Sequence, residues 1–275
     1  MLALLPLIVL LLTGLALVGR ADTTRGAAYR RRALFLAAAA WGIWLAVSSE
    51  ILSLAGQLNR AGLSIVWLLA AVVILSVPAL RMAVVKGVRD IFAAVKTVRG
   101  WSGFEKLLLG GLVLEALLLL AVAWMAPPNT NDAMQYHLSR VMHWLQNGSL
   151  AHYPTAIDRQ LWQPPWAELA ILHLVGLGGS DRWANLVQWG AFLGTWLGAS
   201  GLAAQLGAGR KGQILAAWVC AMLPMGILQA TGSQNDLAAS FWLLGVLLLV
   251  VKAHQQARYP DPAGFAGLCW LEWAG

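Results

Sequence analysis

The sequence predicts an all-α fold, a polytopic bundle of transmembrane helices carrying one long extracytoplasmic loop of amphipathic helices. Three observations predict it. Hydrophobic residues make up 59% of the 275 residues and charged residues only 11%, with a mean hydropathy of +0.68. Soluble domains carry about 25% charged residues. Apolar runs of bilayer-spanning length recur along the chain, and the basic residues gather between those runs. The net charge of +7 is therefore topological and does not imply a nucleic-acid partner. The fifteen tryptophans suit interfacial belts, where the ring is buried and its N–H stays wet.

The first element is 1–19, close to the ~20 apolar residues a membrane helix needs. It starts uncharged and is followed by Arg20, Arg25, Arg30, Arg31 and Arg32, so it reads as a permanent span with its N-terminus outside, not a signal peptide. The next spans are expected near 33–55 and 63–80, joined by a short turn at Gln57–Gly62. Residues 81–106 are basic and predict a helix on the cytoplasmic surface, its lysines towards anionic lipid. A fourth span, 107–126, leads into the polar stretch 127–182. Beyond it come spans near 183–206, 214–229 and 237–251, then an apolar piece from 263.

The apolar segment 166–178 decides the topology. Thirteen residues of helix cover only about 20 Å, against a hydrocarbon core of ~30 Å. If the segment does not cross, fifteen Lys and Arg fall on the cytoplasmic side and four outside. If it crosses, the division is twelve to seven. The positive-inside tendency favours the first arrangement. It predicts that 132–146 and 166–178 are helices resting at the outer membrane surface. It also places loop 127–182 and the turn 231–236 on one extracytoplasmic face, of a cell (inner) membrane.

The first part of that loop, 127–168, holds Asp132, Asp158 and Glu168, three of twelve acidic residues, and His137, His143 and His152, three of five histidines. Helical spacing puts Asp132, Tyr136 and Arg140 near one face, with His143 close to it, and Met134, Leu138, Val141 and Leu145 on the other. Asp132 has two readings: a helix N-cap, or a general base at the membrane edge. The histidines lack metal-ligand spacing and read as packing or hydrogen-bonding residues. No metal site is assigned. Asn147-Gly-Ser is a chance sequon match. Glu115 lies mid-span, where a carboxylate either bonds a neighbouring helix or lines an internal path, and the structural option is preferred. Cys220 and Cys269 sit in apolar segments and read as core residues.

The order of these features resembles a known family. A span ends in a loop with an acidic residue (Asp132), then an amphipathic helix and a Gly turn (Asn147–Leu150). Trp162-Gln163-Pro164-Pro165-Trp166 follows, then Gly179–Arg182 entering the next span, and later a short turn ending in Asp236 before an apolar helix. This resembles the N-terminal part of the GT-C membrane glycosyltransferases. The nearest likeness is to the bacterial family-39-like enzymes, relatives of protein O-mannosyltransferases and of the lipid A aminoarabinose transferase. It covers roughly 107–260. Residues 1–106 then form an added three-span module, and 107–275 a partial GT-C-like domain.

The resemblance implies transfer of a sugar from a polyprenyl-phosphate donor to an extracytoplasmic lipid, glycan or protein. It implies catalytic roles for Asp132 and Asp236. For the substrate it suggests Tyr136, His137, Arg140, Arg159, Trp162, Gln163 and Trp166, with the tryptophans stacking on sugar or holding lipid. Arginines or a divalent metal ion would meet the departing phosphate. Asn131 stands where the family often has a second carboxylate. The chain stops inside an apolar segment, so a truncated enzyme is expected. The competing class is a non-catalytic polytopic protein, a transporter or an assembly subunit. Glu115 permits it, but internal repeats and broken helices are not visible.

Overall fold

A computed structural model describes residues 2–20 and 26–258. All regular structure among them is helical. A 3-10 turn, Leu2–Leu4, leads into α1 (Leu5–Gly19), followed by α2 (Gly26–Leu54), α3 (Arg60–Ser76), α4 (Pro78–Thr97) and α5 (Gly103–Met125). A π-helical turn, Ala133–His137, opens α6 (Leu138–Asn147). Then come α7 (Arg159–Trp162), α8 (Trp166–Gly178), α9 (Leu186–Gln205), α10 (Arg210–Ala221), α11 (Pro224–Ala230) and α12 (Asp236–Arg258). The apolar piece from 263 and Cys269 lie outside the described residues.

Four helical stretches are long and apolar enough to cross a membrane: Leu2–Gly19, Ala27–Leu54, Gly103–Met125 and Asp236–Gln255. Two bent pairs raise the number to six if each is one broken span. In the first, Pro78 cannot continue α3, and α4 leaves it at 85°. The bend falls near residue 80, where the sequence ends a span, and α4 packs chiefly against α1. In the second, Pro224 breaks the expected span 214–229 into α10 and α11, bent by 69°. The expected span 183–206 falls on α9, which is not among these candidates, its apolar character diluted by Gln188, Thr195 and a row of glycines. It runs through the second core.

Local chemistry fixes the helix starts. Asn59 caps α3 by accepting from the N–H groups of Ala61 (3.0 Å) and Gly62 (3.1 Å). Ser102 and Glu105 form a capping box on α5. Arg210, opening α10, then forks onto Glu105, Nε to Oε1 at 2.7 Å and Nη2 to Oε2 at 3.0 Å, while lying over the Trp101 ring. One carboxylate thus ties two helix starts together.

Two cores hold the bundle. The first surrounds α8, which is buried along ten of its thirteen residues by α2, α3, α6 and the 3-10 turn before α1. The segment 166–178 is therefore not a helix resting on an outer surface. It is apolar on every face and takes protein contacts on every face. This core draws on helices from both sides of residue 106. The second core lies between α5, α9, α10, α11 and the start of α12. Several tryptophans depart from the interfacial-belt expectation and stitch helices instead. The indole N–H donates to a carbonyl of another helix from Trp41 (Pro6, 2.8 Å), Trp189 (Ala116, 3.0 Å) and Trp218 (Leu108, 2.8 Å).

The two ends of the bundle are distinct. Asn185, before α9, donates to the carbonyls of Ala123 and Ala126 at the end of α5. Gln188 accepts from the Ala238 N–H at the start of α12. Loop 127–182 and the turn before Asp236 therefore share one end. The Glu105–Arg210 tie lies at the other.

The crossing of α1 and α4 is built on glycine. A Cβ on Gly19 would meet the Ala83 carbonyl oxygen at 1.8 Å, and one on Gly87 would meet that of Leu15 at 2.0 Å. Gly87→Ala must push the helices apart and is expected to cost about 1–3 kcal/mol. Gly110→Ala, where a Cβ meets nothing within 4 Å, should be neutral or stabilise by up to about 1 kcal/mol. Thermal unfolding of both variants in detergent checks the pair. Equal behaviour of the two would refute the close crossing.

Candidate functional site

The site begins where α5 ends. The N–H of Ala133 donates to Thr130 Oγ1 (3.2 Å) and that of Met134 to the Thr130 carbonyl (3.0 Å), so Thr130 caps the next helix. Asp132 makes no capping bond. The cap reading of Asp132 does not hold, and its carboxylate is used elsewhere.

The π turn explains how. Its wider five-residue turn shifts the helical register, so the adjacent residues Tyr136 and His137 both point inward and are buried. Regular helical spacing had grouped Tyr136 with Asp132 and Arg140 and left His137 apart. In the structure His137 is the hinge of the cluster. Its Nδ1 lies 2.8 Å from Glu168 Oε1 and its Nε2 3.3 Å from Asp132 Oδ2. Asp132 Oδ1 is 3.0 Å from Nη1 of Arg159. At the inner end, Arg140 Nη1 lies 3.9 Å from Glu168 Oε1. A chain of alternating groups thus runs Arg140, Glu168, His137, Asp132, Arg159.

Its inner three groups are buried and its outer two are half-exposed. The side chains of Glu168 and His137 are 0% and 1% exposed, that of Asp132 39% and that of Arg159 40%. Arg140 is locked by donating to the carbonyl of Gln163 at 2.9 Å and by lying 4.7 Å above the Trp144 ring. Arg159 also donates to Gln135 Oε1 at 3.3 Å. Gln160 pins the loop from beneath. Its amide donates to Ser139 Oγ (2.8 Å) and the Gln135 carbonyl, while its Oε1 accepts from Tyr153 and Thr155, both at 3.0 Å. Burial, and then the neighbouring Glu168 carboxylate, hold the Tyr136 phenol well above its ordinary pKa, so it stays protonated near neutral pH.

The other expected site residues are dispersed. Gln163 contributes a carbonyl to Arg140. Trp162 is exposed, whereas Trp166 is packed against Gly42, Trp41 and Trp242 in the helix interior. Asp236 is exposed at the first turn of α12, at the same end as Asp132, but no contact joins the two. His143 stacks on Tyr153 with ring centroids 4.1 Å apart. Glu168 is the central residue that spacing did not single out. Its signal was a lone carboxylate in the first turn of an otherwise apolar helix.

The donors do not fit a metal ion. Asp132 and Glu168 flank opposite edges of the His137 ring, and among the described residues no three His, Cys, Asp or Glu converge on one point. The exposed Asp132 oxygens, backed by an imidazole and faced by a guanidinium, suit proton transfer to or from a ligand at the surface. No family model, curated protein or solved structure matches this chain. The likeness to GT-C enzymes therefore rests on the motifs and their order alone.

Removing one member of a buried charged pair costs far more than removing an exposed one. Glu168→Ala is expected to destabilise by about 3 kcal/mol or more, and Arg159→Ala by less than about 1 kcal/mol. Denaturant unfolding in a fixed detergent compares them. Similar small losses would show that the inner pair is not a structural anchor.

Proposed function

We propose that this chain is all or part of a multi-pass membrane glycosyltransferase that takes a sugar from a polyprenyl-phosphate donor and passes it to an extracytoplasmic hydroxyl acceptor. The observation that carries the reading is the Asp132 carboxylate. It is half-exposed near the end of α5, released from capping, and backed by the buried His137–Glu168 pair. In this mechanism Asp132 takes the proton of the acceptor hydroxyl as its oxygen attacks the anomeric carbon. The bond from that carbon to the phosphate oxygen breaks, and polyprenyl phosphate leaves with the electron pair. His137 and Glu168 hold Asp132 in place. Arg159, half-exposed beside Asp132, is positioned to turn towards the phosphate. Asp236 supplies a second carboxylate at the same end.

A second reading, a non-catalytic transporter or assembly subunit, is favoured by one observation. Both oxygens of Glu115, in the middle of α5, are buried without a hydrogen-bond partner, a feature common along ion and proton paths.

Two experiments test the proposal. The first is topological. Cysteines at Asn131 and Asn235, in a background lacking Cys220 and Cys269, should both react with a membrane-impermeant thiol reagent added from outside. Reaction of one alone would place the two aspartates on opposite sides. The second is chemical. Asp132→Asn should express and fold normally while lowering transfer from a radiolabelled lipid-linked sugar by about 10²-fold or more. Near wild-type transfer would end the role of Asp132 as base. Absence of sugar transfer by the wild-type chain would favour the second reading.

A further inference from the structure

A cavity of about 520 Å³ opens between α2, α9 and α12. Its polar mouth and its apolar wall come from different parts of these helices. The mouth is basic and is formed by Arg31, Arg32 and Lys252. The wall runs along α2 and α12 past Phe35, Val246 and Trp242. Among the described residues no Asp or Glu lines it.

Arg31 is held in place by bonds from Nη1 to Gln213 Oε1 (3.1 Å) and Ser200 Oγ (3.4 Å). Its Nε and that of Arg32 are buried with no partner. Among the described residues no carboxylate pairs with either guanidinium. Two arginines gathered at a cavity mouth, one fixed by uncharged side chains and both with buried donors unused, call for an anion of external origin. Guanidinium groups match phosphate geometry. An apolar wall continuing from the anion site calls for that anion to carry a hydrocarbon chain. Basic pockets between membrane helices bind anionic headgroups by this combination.

We propose that the cavity binds one anionic phospholipid, its phosphate between Arg31 and Arg32 and an acyl chain along Phe35 and Trp242. The mouth lies far from the Asp132 cluster. Ser200 sits in the last part of α9, whereas Asn185 and Gln188, which mark the loop end, precede or open that helix. A phosphate held here is not one that Asp132 could act upon, so the proposal stands apart from the transferase reading.

Bromine on lipid acyl chains quenches tryptophan on contact. The full chain is placed in nanodiscs of phosphatidylcholine doped with an equal mole fraction of dibrominated phosphatidylglycerol or dibrominated phosphatidylcholine. Subtracting the signal of Trp242→Phe isolates Trp242. Half-quenching of Trp242 is expected at about tenfold less brominated phosphatidylglycerol than brominated phosphatidylcholine. Arg31→Gln with Arg32→Gln should abolish that preference, and Arg31→Lys with Arg32→Lys should keep most of it. Equal quenching by the two lipids in the wild-type chain would overturn the proposal, as would quenching by neither. That comparison needs no variant at the arginines. A preference that survives the double Gln substitution would overturn it too.

Discussion

A carboxylate cannot be buried alone, and Glu168 sits in the first turn of a helix that the rest of the first core encloses. Its requirement for partners organises the loop. His137 reaches it only because the π turn carries one residue more than an α-helical turn. Arg140 reaches it three residues later and is itself held by a carbonyl and the face of Trp144. Pro164 and Pro165 end the preceding segment so that α8 begins with Glu168 already facing α6.

The contrast with a second buried histidine separates support from chemistry. His173 accepts from the Trp67 indole at Nδ1 (2.7 Å), so its proton is on Nε2 and points to Ser49 Oγ (2.8 Å), which donates to the Leu45 carbonyl. Every group in that chain is satisfied, and it ends in backbone without meeting solvent. Such a network fixes three helices relative to one another and offers nothing to a ligand. The chain through His137 ends in a half-exposed carboxylate and a half-exposed guanidinium. Burial decreasing from Glu168 to Asp132 is what a site needs if it is to be rigid at its root and accessible at its tip.

The spans were legible because bilayer thickness imposes a length and water-free hydrocarbon imposes a composition. The errors have equally physical causes. Charge counting asks only whether a segment crosses, so it could not say that protein rather than lipid surrounds α8. The absence of a polar face in WAELAILHLVGLG was the sign of full burial. Pro224 marked the break inside 214–229, and an apolar window averaged over it. Within the loop, the 3.6-residue period selected Asp132, Tyr136 and Arg140. It failed at His137 because a π turn leaves no mark in hydropathy. Glu168 is 31 positions from His137, and no periodicity links residues so far apart.

The depth of the Asp132 cluster follows from helix length. Thirteen residues of α8 span about 20 Å, and Glu168, its third residue, lies at the end that follows Pro164 and Pro165. Asp132 follows the last residue of α5 by seven positions and is drawn back to the same level by His137. A short, fully enclosed helix can thus carry a carboxylate slightly below the loop surface without exposing it to hydrocarbon, since α6 and α8 supply both its apolar cover and its counter-charge. The proposed transfer requires a base at the level of the headgroups. The phosphate of a lipid-linked sugar stays with the headgroups, so a base presented by a loop above the membrane would be too high and one within a span too deep. A buried anchor with a half-exposed tip is the form such a base would take.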